Sequence, residues 1–144
     1  MATKVFLDTN IIIDFLDQSR PQYAVSRKIV EECMFERING GISETVVTNC
    51  SYILRKTFNQ AQLREFFLDF SKFLTVLPFS NFVLKSACEM KSDDFEDAIM
   101  YQIALENDCQ YFITSNLPDF QSIAQPSLPI VSPDTFLDWY KNKK

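Results

Sequence analysis

Short apolar runs alternate with amphipathic helical segments along this chain, and this alternation is the feature that most constrains its fold. Four runs have the length and apolar character of buried strands, at residues 4–7, 75–77, 111–114 and 130–131. Strands that are joined through helices run parallel, and helices then cover both faces of the sheet. The sequence therefore predicts an α/β sandwich with a mostly parallel central sheet, and its 144 residues fit one domain over residues 1–144.

The segments between these runs carry helical periodicity. We predict helices after Asp8 and at residues 23–38, 59–73, 81–90, 93–104 and from 133 onward. The Asn-Gly-Gly sequence at residues 39–41 is expected to end the helix before it. Ser43 occupies a capping position, and residues 44–58 are expected to form a short strand around Val46 that leads into a helix.

Histidine is absent and glycine occurs only twice, which excludes several kinds of site. Without histidine, the usual general base, the usual zinc ligand and the histidine-activated nucleophiles are missing. Two adjacent glycines cannot build a phosphate-binding P-loop or a dinucleotide-binding turn. Any catalysis must therefore rely on carboxylates, and carboxylates that act together favour hard cations such as Mg²⁺ or Mn²⁺.

The chain carries no sign of export or membrane insertion. No apolar run approaches the roughly 20 residues that a membrane span needs, and the amino terminus lacks a signal-like apolar region. The four cysteines, Cys33, Cys50, Cys88 and Cys109, are far apart and form no Cys-x-x-Cys pair. We therefore expect reduced, buried thiols in a cytoplasmic protein.

Acidic and amide side chains gather at three places that a parallel sheet would bring together. Residues 93–97 hold four carboxylates at the start of a predicted helix. Asp8 follows the first predicted strand, and Asn116 and Asp119 follow the strand that ends at residue 114. Ligands of α/β sheets bind outside the carboxyl ends of the strands, so one interpretation is a shared site. The alternative is that these aspartates only cap the starts of helices.

The charge balance limits how the chain can bind nucleic acid. Its net charge of −5 argues against broad electrostatic binding, because such binding depends on Lys and Arg. A small basic group of Arg55, Lys56 and Arg64 is suited to local contact with a phosphate backbone, and an ordinary solvated surface is the alternative.

Phenylalanines recur at helical spacing within residues 59–73, at Phe66, Phe67, Phe70 and Phe73. Such a stripe is typical of core packing. An interface for a dimer mate or for a partner helix is the alternative, because four phenylalanines are many for one helix.

Four segments of the chain form a recognisable set: VFLDTNIIIDFL at 5–16, SETVVTNCSYILRK at 43–56, DDFEDAIMYQIALEN at 93–107 and YFITSNLPDF at 111–120. Together, in this order and spacing, they resemble the PIN-domain nucleases, and especially the toxins of VapBC-type toxin–antitoxin pairs. The resemblance implies a three-layer α/β/α sandwich with a five-stranded sheet. It also implies an acidic pocket for Mg²⁺ or Mn²⁺, cleavage of single-stranded or structured RNA, and a small antitoxin that blocks the site.

The resemblance also implies roles for individual residues. Asp8 and Asp97 match the family's acidic metal ligands, and Asn116 and Asp119 match its last motif. The second motif departs, because Asn49 stands where many relatives place Glu, and the nearby Glu44 is at least a helical turn away. Two further candidates for contacts behind the ligands or with the substrate are Asp94 and Thr114. Ser115 stands where relatives often have Arg.

These implications give a leading hypothesis and two rivals. The leading one is a metal-dependent ribonuclease toxin, with RNA as substrate and a small antitoxin as partner, and with a second copy of the chain as a further candidate partner. The first rival is a catalytically weakened PIN-like module that acts by binding a partner protein or RNA, which Asn49 motivates. The second is a receiver-like domain phosphorylated on a strand-end aspartate such as Asp8, which ranks last because no strand-end lysine follows residues 111–114.

Overall fold

A computed structural model describes residues 2–143 and contains one five-stranded sheet in which every strand pair is parallel. The strands are β1 (Thr3–Leu7), β2 (Ile38–Ile42), β3 (Leu74–Val76), β4 (Tyr111–Ile113) and β5 (Ile130–Val131). Their spatial order is β3-β2-β1-β4-β5. The predicted α/β class and its parallel five-stranded sheet are therefore confirmed.

Helices connect the strands and cover the sheet. They are α1 (Thr9–Leu16), α2 (Tyr23–Met34), α3 (Glu44–Leu54), α4 (Gln60–Phe70), α5 (Asn81–Glu89), α6 (Phe95–Glu106), α7 (Leu117–Phe120) and α8 (Pro133–Lys143). A short 3₁₀ helix (Gln121–Ile123) follows α7. Because Val5, Phe6 and Leu7 of β1 are all fully buried, the sheet is covered on both faces, as a three-layer sandwich requires.

Aromatic packing joins the two central strands. The rings of Phe6 on β1 and Phe112 on β4 stack with their centres 4.8 Å apart. Tyr101 of α6 and Phe120 of α7 close on Phe112 from neighbouring elements. This buried contact fixes β1 beside β4, and it therefore also fixes the residues that follow these two strands.

The predicted helix at residues 23–38 is too long, because its last part is strand β2. Helix α2 ends at Met34, and Glu36 takes a left-handed backbone conformation with φ 60°. The backbone N–H groups of Glu36 and Arg37 then bond the carbonyls of Cys33 and Glu32, which is a Schellman ending. Glutamate is not the usual residue for that ending, so the sequence did not reveal it.

The prediction that Gly40 and Gly41 end a helix is wrong, because both lie inside strand β2. A Cβ atom on Gly40 would lie 2.7 Å from the Cys33 sulfur and 2.7 Å from a Leu74 methyl carbon. On Gly41 it would lie 2.8 Å from a Leu77 methyl carbon. Both glycines are therefore needed where neighbouring side chains approach the strand closely.

Two further predictions fail locally. Val46 was expected in a strand but belongs to helix α3. Ser43 is the N-cap of this helix, as predicted, and its hydroxyl accepts a hydrogen bond from the Val46 N–H at 3.3 Å. β-Branched residues suggested a strand there, but the cap and burial of one helical face prevail. Cys88 is exposed, whereas Cys33, Cys50 and Cys109 are free, buried thiols as expected.

The phenylalanine stripe packs inward. Phe70 is buried, while Phe66, Phe67 and Phe73 are half-buried against the core, with edge-on contacts among their rings. The stripe therefore contributes to the core of the protein, and because three of its rings keep part of their surface exposed, the alternative of a partner interface stays a prediction. Within residues 2–143, no helix has the length and apolar character needed to cross a membrane.

Candidate active site

The candidate site lies at the carboxyl edge of the sheet, between β1 and β4. Strands β2 and β3 lie on one side of β1, and β4 and β5 lie on its other side. The direction in which strands are added to the sheet therefore reverses between β1 and β4. Such a reversal opens a crevice in which α/β proteins bind their ligands. Asp8 directly follows β1, and its backbone N–H bonds the carbonyl oxygen of Ile113 at the end of β4, at 3.0 Å.

Asp8 is a buried carboxylate held by hydrogen bonds on both oxygens. One oxygen accepts from the Thr9 N–H at 2.7 Å, and the other accepts from the Thr114 hydroxyl at 2.7 Å. Burial raises the pKa of Asp8, the bonds from Thr114 and Thr9 oppose that rise, and the charges of Asp119 and Glu96 add to it. A cation close to Asp8 would therefore stabilise the ionised form of its carboxylate.

Thr114 connects the ends of the two central strands. Its side chain is fully buried, and while its hydroxyl donates to Asp8 it accepts from the Asn116 N–H at 3.0 Å. The role predicted for Thr114, behind the acidic ligands or in contact with the substrate, stays a prediction. The hydroxyl oxygen of Thr9, next to Asp8, is buried and has no hydrogen-bond partner among residues 2–143.

Asp97 lies in the first turn of α6, where several negative charges meet. Its pKa is raised to about 7, first by burial and then by the charges of Asp94, Asp8, Asp119 and Glu96. Asp94 is the N-cap of the helix, and its carboxylate accepts from the Asp97 N–H at 3.1 Å. The alternative interpretation of this aspartate as a helix cap is thus correct, and Asp97 still faces the other acids.

Asn116 and Asp119 lie exposed at the mouth of the crevice. The Asn116 amide donates to the Asp119 carboxylate, and the Asp119 N–H bonds the Asn116 carbonyl at 3.2 Å. The Asp119 charge raises the pKa of both Asp8 and Asp97. The structure therefore brings Asn116 and Asp119 to the crevice of Asp8 and Asp97, and the catalytic roles predicted for these four residues stay predictions.

Asn49 reaches this group through a residue that the sequence analysis did not select. Its amide nitrogen donates to the Glu96 carboxylate at 2.8 Å, a contact between α3 and α6 across 47 residues of sequence. The sequence analysis counted Glu96 among the four carboxylates at residues 93–97, but its position next to Asp97 in sequence gave no reason to assign it a role in the site. Glu44, by contrast, is exposed at the start of α3 and is not among the charges that shift the pKa of Asp8 or Asp97.

A family model described as PIN domain matches residues 4–117 of the chain. This chain belongs to the PIN-domain family. It is 23% identical over 142 residues to Ribonuclease VapC1 of Aquifex aeolicus (strain VF5), with 95% of each chain covered. The resemblance drawn from the four sequence segments is confirmed, and it favours the nuclease hypothesis over a receiver-like domain.

Solved structures share the fold of this PIN domain. VapBC2 from Rickettsia felis, bound to a DNA fragment from its promoter, has a TM-score of 0.66 at 17% identity, covering 90% of this chain and 98% of that one. A toxin–antitoxin complex from Klebsiella pneumoniae has a TM-score of 0.65 at 21% identity, covering 90% and 97%. Mycobacterium tuberculosis VapC20, a Sarcin-Ricin loop cleaving toxin, has a TM-score of 0.60 at 13% identity, covering 75% and 86%.

The acidic crevice of the PIN domain has the charge and the oxygen donors that suit a hard divalent cation. None of the ion pairs within residues 2–143 includes Asp8, Asp97, Glu96 or Asp119, so their charges are left uncompensated. No three His, Cys, Asp or Glu side chains in that range are grouped closely enough to enclose an ion. Mg²⁺ commonly takes only one or two carboxylates and keeps several waters, so Asp8 and Asp97 fit it.

Proposed function

We propose that this PIN domain is a Mg²⁺- or Mn²⁺-dependent endoribonuclease that acts as the toxin of a toxin–antitoxin pair. The observation that supports the proposal is that Asp8 lies at the switch point of the sheet and its charge acts on Asp97, while no ion pair within residues 2–143 includes either carboxylate. The relative named Ribonuclease VapC1 supports the activity. An enzyme of this kind would work in the cytoplasm, where RNA is available.

Different residues of the crevice have different roles in the proposed mechanism. Asp8 and Asp97 would hold the cation, which when bound polarises a phosphoryl oxygen and lowers the pKa of water. Thr114 fixes the orientation of Asp8 and favours its ionised form by donating to it. Asp119, which accepts a hydrogen bond from Asn116 at the mouth of the crevice, or Asp94 would orient a water molecule or a second cation.

The Asn49 amide has a positioning role in this proposal. The amide donates to Glu96 and so holds this carboxylate of α6 in place beside Asp97. The negative charge of Glu96 then adds to the charge of the crevice. Relatives that carry Glu at this place would supply that charge from α3 directly. With one anionic ligand fewer, the chain should need a relatively high concentration of metal, and we expect Mn²⁺ to support activity better than Mg²⁺.

The proposal is tested by digestion of a labelled RNA with Mn²⁺, with Mg²⁺ and with EDTA. We expect cleavage by the unaltered chain with metal only, and its loss in Asp8→Ala and in Asp97→Ala. Asp69→Ala is the matched control, because this exposed carboxylate lies at the end of α4 that leads into the amino end of β3, on the opposite edge of the sheet. Equal cleavage by all four proteins would falsify the proposal.

A small antitoxin protein is the partner that we propose for this toxin. The similar structures from Rickettsia felis and Klebsiella pneumoniae are toxin–antitoxin complexes, which supports such a partner. Asp119 and Glu96, which take part in no ion pair within residues 2–143, would attract a basic side chain from it. Co-expression with the product of a neighbouring small open reading frame should yield a complex, and inhibition of cleavage by that product identifies it as the antitoxin.

The weakened PIN-like module is the second candidate function, and Asn49 is the observation that favours it. An amide cannot bring a charge to a metal, and in this structure it is committed to Glu96. This alternative predicts no heat of Mn²⁺ binding in calorimetric titration, no RNA cleavage, and intact binding of a partner protein or RNA. Measured Mn²⁺ binding that is lost in Asp97→Ala would exclude it.

A further inference from the structure

Tyr52 and Arg55 form an exposed aromatic–cation pair on α3, near the acidic crevice. Tyr52 is 66% exposed, and the Arg55 guanidinium carbon lies 3.7 Å from the centre of its ring. Arg55 also donates to the Tyr52 carbonyl oxygen, so the guanidinium is held in place from two directions. A planar ring and a planar cation therefore lie open to solvent as one unit.

The helix places this pair beside the candidate active site. Asn49, which bonds Glu96 of the acidic group, precedes Tyr52 by three residues, and residues at that spacing lie on the same side of a helix. The separation along the helix axis is about 5 Å, since each residue rises 1.5 Å. A strand of nucleic acid that enters the crevice can therefore reach Tyr52 with a neighbouring nucleotide.

The charges of this surface are available to a ligand. Neither Arg55 nor the adjacent, exposed Lys56 takes part in an ion pair within residues 2–143, whereas Arg20, Arg27 and Arg37 all do. The chain has a net charge of −5, so general attraction cannot hold RNA next to an acidic crevice. Binding must then come from a local cation together with contacts that do not depend on charge, such as base stacking.

We propose that Tyr52 and Arg55 bind single-stranded RNA, by stacking on an unpaired base while Arg55 contacts the adjoining phosphate, with Lys56 in support. The inference rests on the proposed ribonuclease function and adds the surface that holds the RNA strand beside the crevice. Bases of any sequence stack on aromatic rings and on arginine planes, so the surface would bind the strand without reading its sequence. A base-paired duplex keeps its bases inside and would not use this surface.

The test is fluorescence anisotropy with a labelled single-stranded RNA of about 12 nucleotides, a length within the usual range of such sites. EDTA is present so that no cleavage occurs. We expect Tyr52→Ala to weaken binding about tenfold and Tyr52→Phe to keep it, because the ring performs the stacking. Arg55→Gln should weaken binding and lower the slope of log affinity against log salt by about one.

A matched control exists at the opposite edge of the sheet. Phe35 is 64% exposed, and the Arg37 guanidinium carbon lies 5.0 Å from its ring centre, just before β2 begins. Phe35→Ala should therefore bind RNA as the unaltered chain does. A duplex made from the same RNA should bind more weakly, and Tyr52→Ala should not change that binding. Thermal melts of the exposed-site variants check that each is folded.

The outcomes separate this inference from the proposed function. If the unaltered chain binds and cleaves RNA but Tyr52→Ala binds it equally well, this inference is wrong and the ribonuclease proposal stands. If the unaltered chain neither binds RNA in EDTA nor cleaves it with Mn²⁺, both are overturned. If Tyr52→Ala loses only the affinity for a co-expressed partner protein, the surface serves that protein and the RNA assignment is wrong.

Discussion

Asp97 is surrounded by other carboxylates, and this crowding gives it an unusual proton affinity. Its pKa of about 7 lies far above the ordinary 3.8 of an aspartate, because it is partly buried and faces the charges of Asp94, Asp8, Asp119 and Glu96. In the absence of metal the folded protein therefore holds a proton on Asp97 at mildly acidic pH. A divalent cation competes with that proton for the same oxygens.

The metal-free protein should lose stability as the pH rises from the ordinary value of 3.8 through about 7. In that window the folded state binds more protons than the unfolded state, so the free energy of unfolding falls as pH increases. Asp97→Asn removes this contribution and should flatten the decline, whereas the exposed-site variant Asp69→Asn should not. Thermal melts in EDTA across this range measure the effect, and parallel curves for Asp97→Asn and the unaltered chain would contradict it.

The Thr114 hydroxyl should matter both to folding and to the charge of Asp8. Thr114→Val keeps the shape of the side chain but removes its bonds to the Asp8 carboxylate and to the Asn116 N–H. We expect a loss of about 1–3 kcal/mol in the free energy of unfolding, because a buried carboxylate oxygen is left without its donor. Urea unfolding of Thr114→Val and of the control Thr114→Ser measures it, and equal stabilities would show that the bond is not needed.

At the scale of elements, the hydrogen bond between Asn49 and Glu96 ties α3 to the head of α6. We expect Asn49→Leu and Glu96→Gln each to lower kcat/KM for RNA with Mn²⁺. The double variant should be no worse than the more damaged single variant, because both changes disable one unit. The interaction is tested by a double-mutant cycle on cleavage rates, and additive losses would mean that the two residues act separately.

Helices and strands with regular periodicity could be predicted from the sequence, and the exceptions have physical causes. The acidic start of α6 and the strands β1, β4 and β5 follow from local pattern. Strand β2 was missed because its Gly-Gly centre resembles a helix stop, although packing of Cys33 and Leu77 against the strand is what requires those glycines. Only tertiary contacts decide such a case.

In the candidate site too, residues marked by a local sequence pattern could be predicted, whereas contacts between distant segments could not. Asp8 and Asn116 could be placed because each follows an apolar strand, and parallel strands end at one edge. The role of Glu96 could not be predicted, because its partner Asn49 lies 47 residues away on another helix. Glu44 was the acidic residue nearest in sequence to Asn49, yet it is not among the charges that raise the pKa of Asp8 or Asp97.

For the whole molecule, a bound cation should raise thermal stability. Mn²⁺ that binds only the folded state stabilises it by about 2.7 kcal/mol at a hundredfold excess over its Kd, and it also relieves the repulsion among the crevice carboxylates. We therefore expect a higher Tm with Mn²⁺, reversed by EDTA and absent in Asp8→Asn. Differential scanning calorimetry measures this. A Tm that rises equally in Asp8→Asn would place the metal elsewhere.

The bond from Thr114 to Asp8 joins the ends of two neighbouring strands at the centre of the sheet. Asp8 therefore cannot shift without breaking a buried hydrogen bond between these strand ends, and we expect its position to persist for as long as the chain is folded. Control of such a protein would then come from outside it, from a partner that covers the mouth of the crevice or from degradation of the whole molecule.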